Sequence, residues 1–281
     1  MNNILSEKYS DLDLVAKENS DNYNNNKPFP HIVFENFFSE SFLENVLEEF
    51  PDLSKSKDSE EYKSKNEVKF SNNNYSTFEG STKKFVDFLN SNKFLKFLEN
   101  LTSIKEKLLS DPHLMGGGLH EIKRGGVLKI HTDFNRHPFL PLDRRLNLLV
   151  YLNKNWSSSY GGELELWDKE MQKAEKKISP IFNKIVIFST NDFSNHGHPE
   201  PLNCPKHLSR KSIALYYFSS GRPASDLSKK NYKNTTRFKN RFGVKNDIFE
   251  KNEKFKDFLR SFKFYQFLKN FEKKYIRRKK N

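Results

Sequence analysis

The stretch Leu128-Lys-Ile-His-Thr-Asp133 combines an apolar strand pattern with a histidine and a carboxylate two residues apart. Side chains alternate across a pleated strand, so His131 and Asp133 are expected to point to the same face. Two imidazoles and one carboxylate on one face of an octahedron leave three positions open, an arrangement that suits Fe(II). One further histidine would therefore complete a metal site.

Two later histidines, His196 and His198, are candidates for this second imidazole. Both follow the apolar strand pattern of residues 185–188, and the residues alone leave open which of them would bind. A His-x-Asp pair is by itself a weak signal, because short motifs of this kind occur by chance on solvated strands. Its weight comes from the strand-like segments around it, which cover residues 127–130, 147–153, 163–167, 185–188 and 209–218.

Arg210 and Ser212 lie two residues apart on the last of these segments, so both are expected to point the same way. An arginine binds a carboxylate with a two-pronged fork, and a serine hydroxyl can add a third contact. The pair therefore predicts a site for a carboxylate on this strand.

The order of these segments resembles the core of the 2-oxoglutarate- and Fe(II)-dependent oxygenases, in particular their prolyl 4-hydroxylase-like branch. The resemblance runs from about residue 27 to residue 241. Five motifs carry it in sequence: His131-Thr-Asp133, Leu146-Asn-Leu-Leu-Val-Tyr-Leu-Asn153, Gly161-Gly-Glu-Leu-Glu-Leu-Trp167, Asn195-His-Gly197 and Arg210-Lys-Ser212.

This resemblance implies that His131, Asp133 and His196 are the metal ligands, because the family's register for the second histidine falls on His196. It also implies that Arg210, with Ser212, holds the distal carboxylate of 2-oxoglutarate. Tyr151 matches a tyrosine that assists in some members of the family, and it is a further candidate for cosubstrate binding.

The cofactors implied by the resemblance are Fe(II), 2-oxoglutarate as cosubstrate and O2, with ascorbate as a candidate reductant. Fe(II) would bind 2-oxoglutarate through two oxygens and keep its third open position for oxygen, which requires three protein ligands and no more. Related halogenases replace the carboxylate ligand with a small residue. The presence of Asp133 therefore favours hydroxylation of an unactivated C–H bond, with release of succinate and CO2.

The resemblance leaves three functions open. The first is hydroxylation of a prolyl residue in a peptide or protein, and the second is hydroxylation of a free amino acid, sugar or other small metabolite. The third belongs to another class: a non-catalytic, metal-binding jelly roll that acts as an interaction scaffold.

The expected fold is mainly β with flanking α-helices. Strands alternate with turns and not with helices across the second half of the chain, which predicts an antiparallel centre. A double-stranded β-helix of the jelly-roll and cupin type is the expected core. Apolar residues at helical spacing predict helices over residues 42–50 and 83–101, the second interrupted at residues 90–92. The oxygenase domain is expected over residues 27–245, with its metal-binding core at about 115–220.

Two loops beside the metal motif are candidates for substrate binding. Residues 134–145 follow the metal-ligand aspartate and include Phe134, Arg136 and Arg145, whereas residues 156–160 begin with Trp156. Loops around a catalytic site determine the substrate more than the fold does. A rim with several arginines would suit an extended or anionic substrate.

The two ends of the chain differ from this core in composition. Residues 1–26 are polar and rich in Asn, and they are expected to form a flexible arm. Residues 246–281 are expected to form a basic aromatic helical tail, because residues 251–281 contain twelve Lys and Arg against three Asp and Glu. Such a tail could contact a membrane surface or a second subunit. The nearly neutral core gives no reason to expect nucleic acid binding.

Cysteine content and hydropathy limit the cellular context. Cys204 is the single cysteine, so no intrachain disulfide can form, which fits a reducing compartment. No apolar run approaches the ~20 residues that a membrane helix needs. A cytoplasmic protein is therefore expected, with a peptide or small molecule as substrate.

Overall fold

A computed structural model describes residues 4–228, 234–245, 247 and 248. Most of the predicted C-terminal tail, residues 249–281, lies outside the described residues. Within them there are four α-helices: α1 (Leu12–Asn25), α2 (Glu40–Glu48), α3 (Gly80–Leu89) and α4 (Asn92–Thr102).

The described residues also form thirteen strands: β1 (His31–Glu35), β2 (Glu60–Lys63), β3 (Glu67–Asn72), β4 (Leu109–Ser110), β5 (Gly118–Lys123), β6 (Val127–Thr132), β7 (Asp143–Tyr151), β8 (Leu164–Trp167), β9 (Ala174–Ile178), β10 (Lys184–Ser189), β11 (Asn195–His198), β12 (Ser209–Ser219) and β13 (Arg237–Phe238). They pair in the order β1-β10-β7-β12-β5-β3-β6-β11-β8-β9, with β2, β4 and β13 at the sides of β3, β12 and β6. The predicted mainly-β, antiparallel architecture is confirmed.

The two faces of the sheet have different neighbours. On β10, Ile185 and Ile187 join the large apolar cluster that includes the helices, whereas Val186 and Phe188 join a second cluster with Tyr151 and the buried leucines of β8. Alternate side chains of a strand point to opposite faces, so the sheet has a helix-covered outer face and a curled inner face.

The helices between residues 40 and 102 follow the sequence pattern. In α2, Phe42, Leu43 and Val46 are buried against the outer face. The predicted interruption at residues 90–92 falls between α3 and α4, where the Ser91 side chain accepts a hydrogen bond from the Phe94 N–H and so caps the start of α4.

The N-terminal segment differs from the flexible arm predicted over residues 1–26. Residues 12–25 form α1, which packs against α4, and its N-cap Asp11 accepts hydrogen bonds from the Asp13 and Leu14 N–H groups. The Tyr23 hydroxyl lies 2.8 Å from Ser189 Oγ at the end of β10. The sequence interpretation missed this helix because Asn-rich polar residues surround a short apolar stripe at helical spacing: Leu12, Val15, Ala16 and Tyr23.

No helix among the described residues is long and apolar enough to cross a membrane.

We expect Leu12→Ala to lower the free energy of unfolding by about 2–4 kcal/mol, because Leu12 is 4% exposed and its loss leaves a cavity under α1. Leu14→Ala on the same helix is the matched control, since Leu14 is 49% exposed and its loss should change stability by less than about 0.5 kcal/mol. Urea unfolding of both variants checks this. Equal stability of the two variants would mean that α1 is not docked in solution.

Candidate metal centre

The pairing of β6 with β11 brings together two histidines that are 65 residues apart in the sequence. His131 and His196 are direct partners across these strands, and their ring centroids lie 4.5 Å apart. Asp133 follows the end of β6, with Oδ1 3.5 Å from His131 Nε2 and Oδ2 3.4 Å from His196 Nε2. The ligand atoms of the three residues all lie within 4.8 Å of one another, and all three side chains are buried.

Backbone carbonyls fix the orientation of both rings. His131 Nδ1 lies 2.8 Å from the Lys129 carbonyl oxygen, and His196 Nδ1 lies 2.9 Å from the Ser194 carbonyl oxygen. A carbonyl oxygen only accepts, so each Nδ1 carries the proton and donates it. Each Nε2 therefore presents its lone pair towards the Asp133 carboxylate, as a metal-binding imidazole requires.

The Asp133 carboxylate is held from its other side by two residues of β7. Its Oδ2 accepts hydrogen bonds from Arg144 Nη2 at 3.0 Å and from Asn147 Nδ2 at 2.7 Å. Arg144 is fully buried, with its guanidinium 3.3 Å from the centroid of the Tyr216 ring and 4.5 Å from that of Phe134. Burial opposes ionisation, but the charge of Arg144 holds the pKa of Asp133 well below its ordinary value.

The donor set fits a divalent metal of the Fe(II) type. Burial lowers the pKa of His196 to about 4, although Asp133 acts in the opposite direction, so this imidazole is neutral near pH 7. An ionised carboxylate and two oriented imidazoles on one inner surface make the two-histidine, one-carboxylate set that leaves coordination positions open.

A second buried group, Arg210 with Tyr151 and Ser212, lies on the same inner face. Ser212 on β12 pairs directly with Tyr151 on β7. Arg210 Nη2 donates to the Tyr151 hydroxyl at 3.2 Å, and Arg210 Nε donates to the Gly162 carbonyl oxygen at 2.8 Å. Gly162 has a φ of +78°, and a Cβ there would lie 3.0 Å from Arg210 Cδ. The positive φ and this close approach explain the glycine at position 162.

The two candidate histidines, His196 and His198, have different surroundings in the structure. His196 belongs to the cluster with His131 and Asp133, whereas His198 pairs with Leu128 after an irregularity in the register. His198 is fully buried, and its pKa is lowered well below the ordinary value by burial and then by the charges of Arg210 and Lys69. The family register favours His196, and His196 is the histidine that lies beside His131 and Asp133; its role as a ligand stays a prediction.

The sequence interpretation assigned no role at the metal site to two side chains on this inner face, His120 and Lys69. Ser71 of β3 pairs with His120, and His120 pairs with Ser212. Burial, followed by the charge of Lys69, lowers the pKa of His120 to about 3. Polar and apolar side chains alternate between residues 67 and 72, and this pattern could have indicated the strand β3. The segment is charged and contains no known motif, so there was no reason in the sequence to connect it to the metal site.

Comparison with known proteins agrees with this geometry. Residues 117–218 match the model of the 2OG-Fe(II) oxygenase superfamily. Across this segment, which carries the metal motif and Arg210, the chain is similar to the 2OG-Fe(II) oxygenases. The match covers both metal-motif strands and Arg210, so the superfamily's metal, Fe(II), and its cosubstrate, 2-oxoglutarate, are those of this oxygenase.

Solved structures share the oxygenase's fold. A prolyl hydroxylase from Trichoplax adhaerens, in complex with a peptide fragment of the hypoxia inducible factor oxygen degradation domain, is 19% identical, with a TM-score of 0.56, over 75% of this chain and 92% of that one. A prolyl 4-hydroxylase from Phytophthora capsici is 21% identical, with a TM-score of 0.52, over 76% of this chain and 66% of that one. A prolyl 4-hydroxylase from Pseudomonas putida is 12% identical, with a TM-score of 0.51, over 74% of this chain and 100% of that one. At these identities the likeness concerns the fold, and it confirms the double-stranded β-helix.

The loops of the oxygenase predicted to bind substrate are arranged differently from the expected arginine-rich rim. Arg145 is buried and paired with Glu106 at 2.7 Å, because it lies on the outer-facing side of β7. The Arg136 side chain is 69% exposed, whereas Phe134 lies beside the Arg144 guanidinium. Trp156 packs with Ile122 and Leu202 and donates to the Gly161 carbonyl oxygen. Of the four predicted substrate-loop residues, therefore, Arg136 is the one on an open surface.

The buried histidines predict an acid-sensitive fold for the metal-free oxygenase. His198 has a pKa lowered from 6.5 in the folded chain, so the unfolded chain binds more protons and stability falls as the pH drops below 6.5. Between pH 6.5 and 5.5, one such histidine lowers the free energy of unfolding by about 1 kcal/mol. We expect His198→Gln to remove this share of the pH dependence, as measured by urea unfolding at both pH values.

The control for this experiment is His113→Gln, because His113 is exposed on a loop before β5. Its unfolding curves should follow those of the wild-type chain. An unchanged pH dependence in His198→Gln would contradict the burial of a neutral His198 ring.

Proposed function

We propose that the chain is a dioxygenase that hydroxylates an unactivated C–H bond of its substrate, with Fe(II) held by His131, Asp133 and His196. One oxygen atom of O2 enters the C–H bond, and the other enters succinate as 2-oxoglutarate loses CO2. The observation that carries the proposal is the convergence of the three buried side chains within 4.8 Å, on the inner face that also holds Arg210.

Each residue has a stated task in this proposal. The two Nε2 atoms and the Asp133 carboxylate hold the metal, which supplies the activation of oxygen when bound. Arg210 binds the distal carboxylate of 2-oxoglutarate, and Tyr151 and Ser212 line the same surface. Arg144 and Asn147 position the Asp133 carboxylate without meeting the cosubstrate. Buried hydrogen-bond partners of this kind orient metal ligands.

Two substrate classes follow from different observations. The likeness in fold to prolyl hydroxylases, one of them solved with a peptide fragment, supports a prolyl residue of a peptide as the first substrate to test. The burial of Arg144 and Arg145 supports the second class, a free amino acid or another small metabolite, because it removes the arginine rim that an extended substrate would meet.

The domain and tail assignments belong to the same proposal. We extend the oxygenase domain from residues 27–245 to include α1, since the α1 side chains join the core of the helix-covered face. Residues 246–281 remain a candidate contact with a membrane surface or a second subunit. If the tail alone carried the function, as in the scaffold alternative, deletion of residues 249–281 would abolish it while the metal site stayed intact.

We expect His131→Ala, Asp133→Ala and His196→Ala each to reduce Fe(II)-dependent conversion of 2-oxoglutarate to succinate by more than about 100-fold, because each removes one of three ligands. Circular dichroism of the same samples monitors the fold. Substantial activity in His196→Ala would transfer the ligand role to His198. Absence of succinate in the wild-type chain supplied with Fe(II) would overturn the proposed function.

We expect Arg210→Ala to raise the apparent KM for 2-oxoglutarate by about 10-fold or more and to change the Fe(II) requirement much less, since the guanidinium would contact the distal carboxylate only. The neighbouring Lys211→Ala is the matched control, because alternation turns Lys211 to the outer face beside Phe50. Equal increases for iron and 2-oxoglutarate would make Arg210 a structural residue.

The substrate class is tested by succinate formation with a proline-rich peptide, free proline and a metabolite extract. Mass spectrometry then detects a product heavier by one oxygen. We expect one of these additions to give both stimulated succinate formation and an oxidised product. If a small metabolite gives both and the peptide gives neither, the prolyl assignment is wrong and the oxygenase assignment stands.

A further inference from the structure

Lys69 is a cation on the inner face of the sheet that the proposed reaction does not use. The row Ser71, His120, Ser212 and Tyr151 runs across four paired strands, and Tyr151 belongs to the inner apolar cluster. Lys69 precedes Ser71 by two residues on β3, so it points to the same face. It thus shares a surface with Arg210 and with the metal cluster.

Lys69 is enclosed but remains accessible. Its Nζ lies 3.0 Å from Glu67 Oε1 and 4.9 Å from the centroid of the Tyr62 ring. The Lys69 side chain is 14% exposed and that of Glu67 is 21% exposed. The ion pair of Lys69 and Glu67 is therefore partly open to solvent.

The surroundings of Lys69 connect it to the metal side of the inner face. Burial opposes its charge, but Glu67, Tyr216 and Asp133 together raise the pKa of Lys69. Lys69 in turn contributes to the lowered pKa values of His120 and His198. The strand that carries Lys69, β3, also pairs with β6, the strand of His131, so Lys69 lies on the metal side of the inner face.

Charge balance indicates what such a cation would bind. Among the described residues, Lys69, Arg144, Arg210 and Lys184 with a divalent metal give six positive charges on the inner face, against three negative charges from Glu67, Asp133 and Glu35. Bound 2-oxoglutarate brings two more negative charges and leaves an excess of one positive charge. Buried charges are stable when they are paired, so the inner face has room for one more anionic group.

We propose that Lys69 binds a carboxylate at the metal side of the inner face, and that the group belongs to the substrate. The inference rests on the proposed function and narrows it to substrates with a carboxylate, such as a free amino acid or organic acid. The metal-proximal carboxylate of 2-oxoglutarate is the second source of the same chemistry. Lys69 is then a specificity-determining residue.

The test compares four variants in the full chain. Lys69→Met removes the charge and keeps the chain length, Lys69→Arg keeps the charge, and Glu67→Gln removes only the counter-charge. Lys184→Met is the matched control, because Lys184 forms an ion pair of 3.0 Å with Glu35 on β1 and its side chain is 10% exposed. Thermal unfolding of each variant measures how much stability is lost when its ion pair is broken.

Two measurements separate the two carboxylate sources. The first is calorimetric binding of 2-oxoglutarate to the Mn(II)-loaded protein. The second is succinate formation stimulated by free L-proline, by L-prolinamide, and by the acidic and neutral fractions of a metabolite extract separated on an anion exchanger. L-prolinamide lacks the carboxylate and is the neutral partner of L-proline.

We expect Lys69→Met to weaken the stimulation by carboxylate compounds at least 10-fold, with partial recovery in Lys69→Arg and none of this loss in Glu67→Gln or Lys184→Met. A 10-fold weaker binding of 2-oxoglutarate in Lys69→Met would assign the carboxylate to the cosubstrate. Equal losses in Lys69→Met and Glu67→Gln, or wild-type values for Lys69→Met in both measurements, would overturn the proposal. Absence of succinate in the wild-type chain overturns the proposed function instead, and the binding measurement still tests Lys69.

Discussion

The buried carboxylate of Asp133 is the constraint on which the arrangement of the site depends. An isolated carboxylate in this position would be costly, and it persists as an anion because Arg144 and Asn147 both donate to its Oδ2. Arg144 is in turn enclosed by the Tyr216 ring of β12 and the Phe134 ring. The carboxylate therefore ties together β6, β7 and β12, and hydrogen bonds from the protein fix its position beside the two histidines.

The register of the strands also fixes the residues that we propose to bind 2-oxoglutarate. His131 opposite His196, and Ser212 opposite Tyr151, are placed by antiparallel pairs that share one sheet. A shift of one residue in either pair would turn the side chains to the other face. The outer face is filled by apolar side chains from the helices, including α1, and this burial fixes the register. Helices far from the chemistry thus hold the inner face in place.

Local patterns in the sequence were sufficient for some of this structure and not for the rest. The alternation of His131 and Asp133 and the break between α3 and α4 each depend on neighbouring residues, so they could be predicted. The positions of Lys69, His120 and the two arginines of β7 depend on pairing between distant strands, which no local pattern reveals. Arg144 and Arg145 were expected on a loop rim, but β7 begins at Asp143 and buries one on each face.

The electrostatics of the inner face follow from this long-range pairing. His120 and His198 are buried near both Lys69 and Arg210, and burial with these two cations keeps the pKa of each ring below its ordinary value. Both rings are therefore neutral near pH 7 and add no charge to the face. The two cations near these rings, Lys69 and Arg210, lie on different strands and interact with different partners, Glu67 and Tyr151. Under our proposal, Arg210 and Lys69 would hold two carboxylates in separate places, and Lys69, which lies outside the family motifs, would select the second.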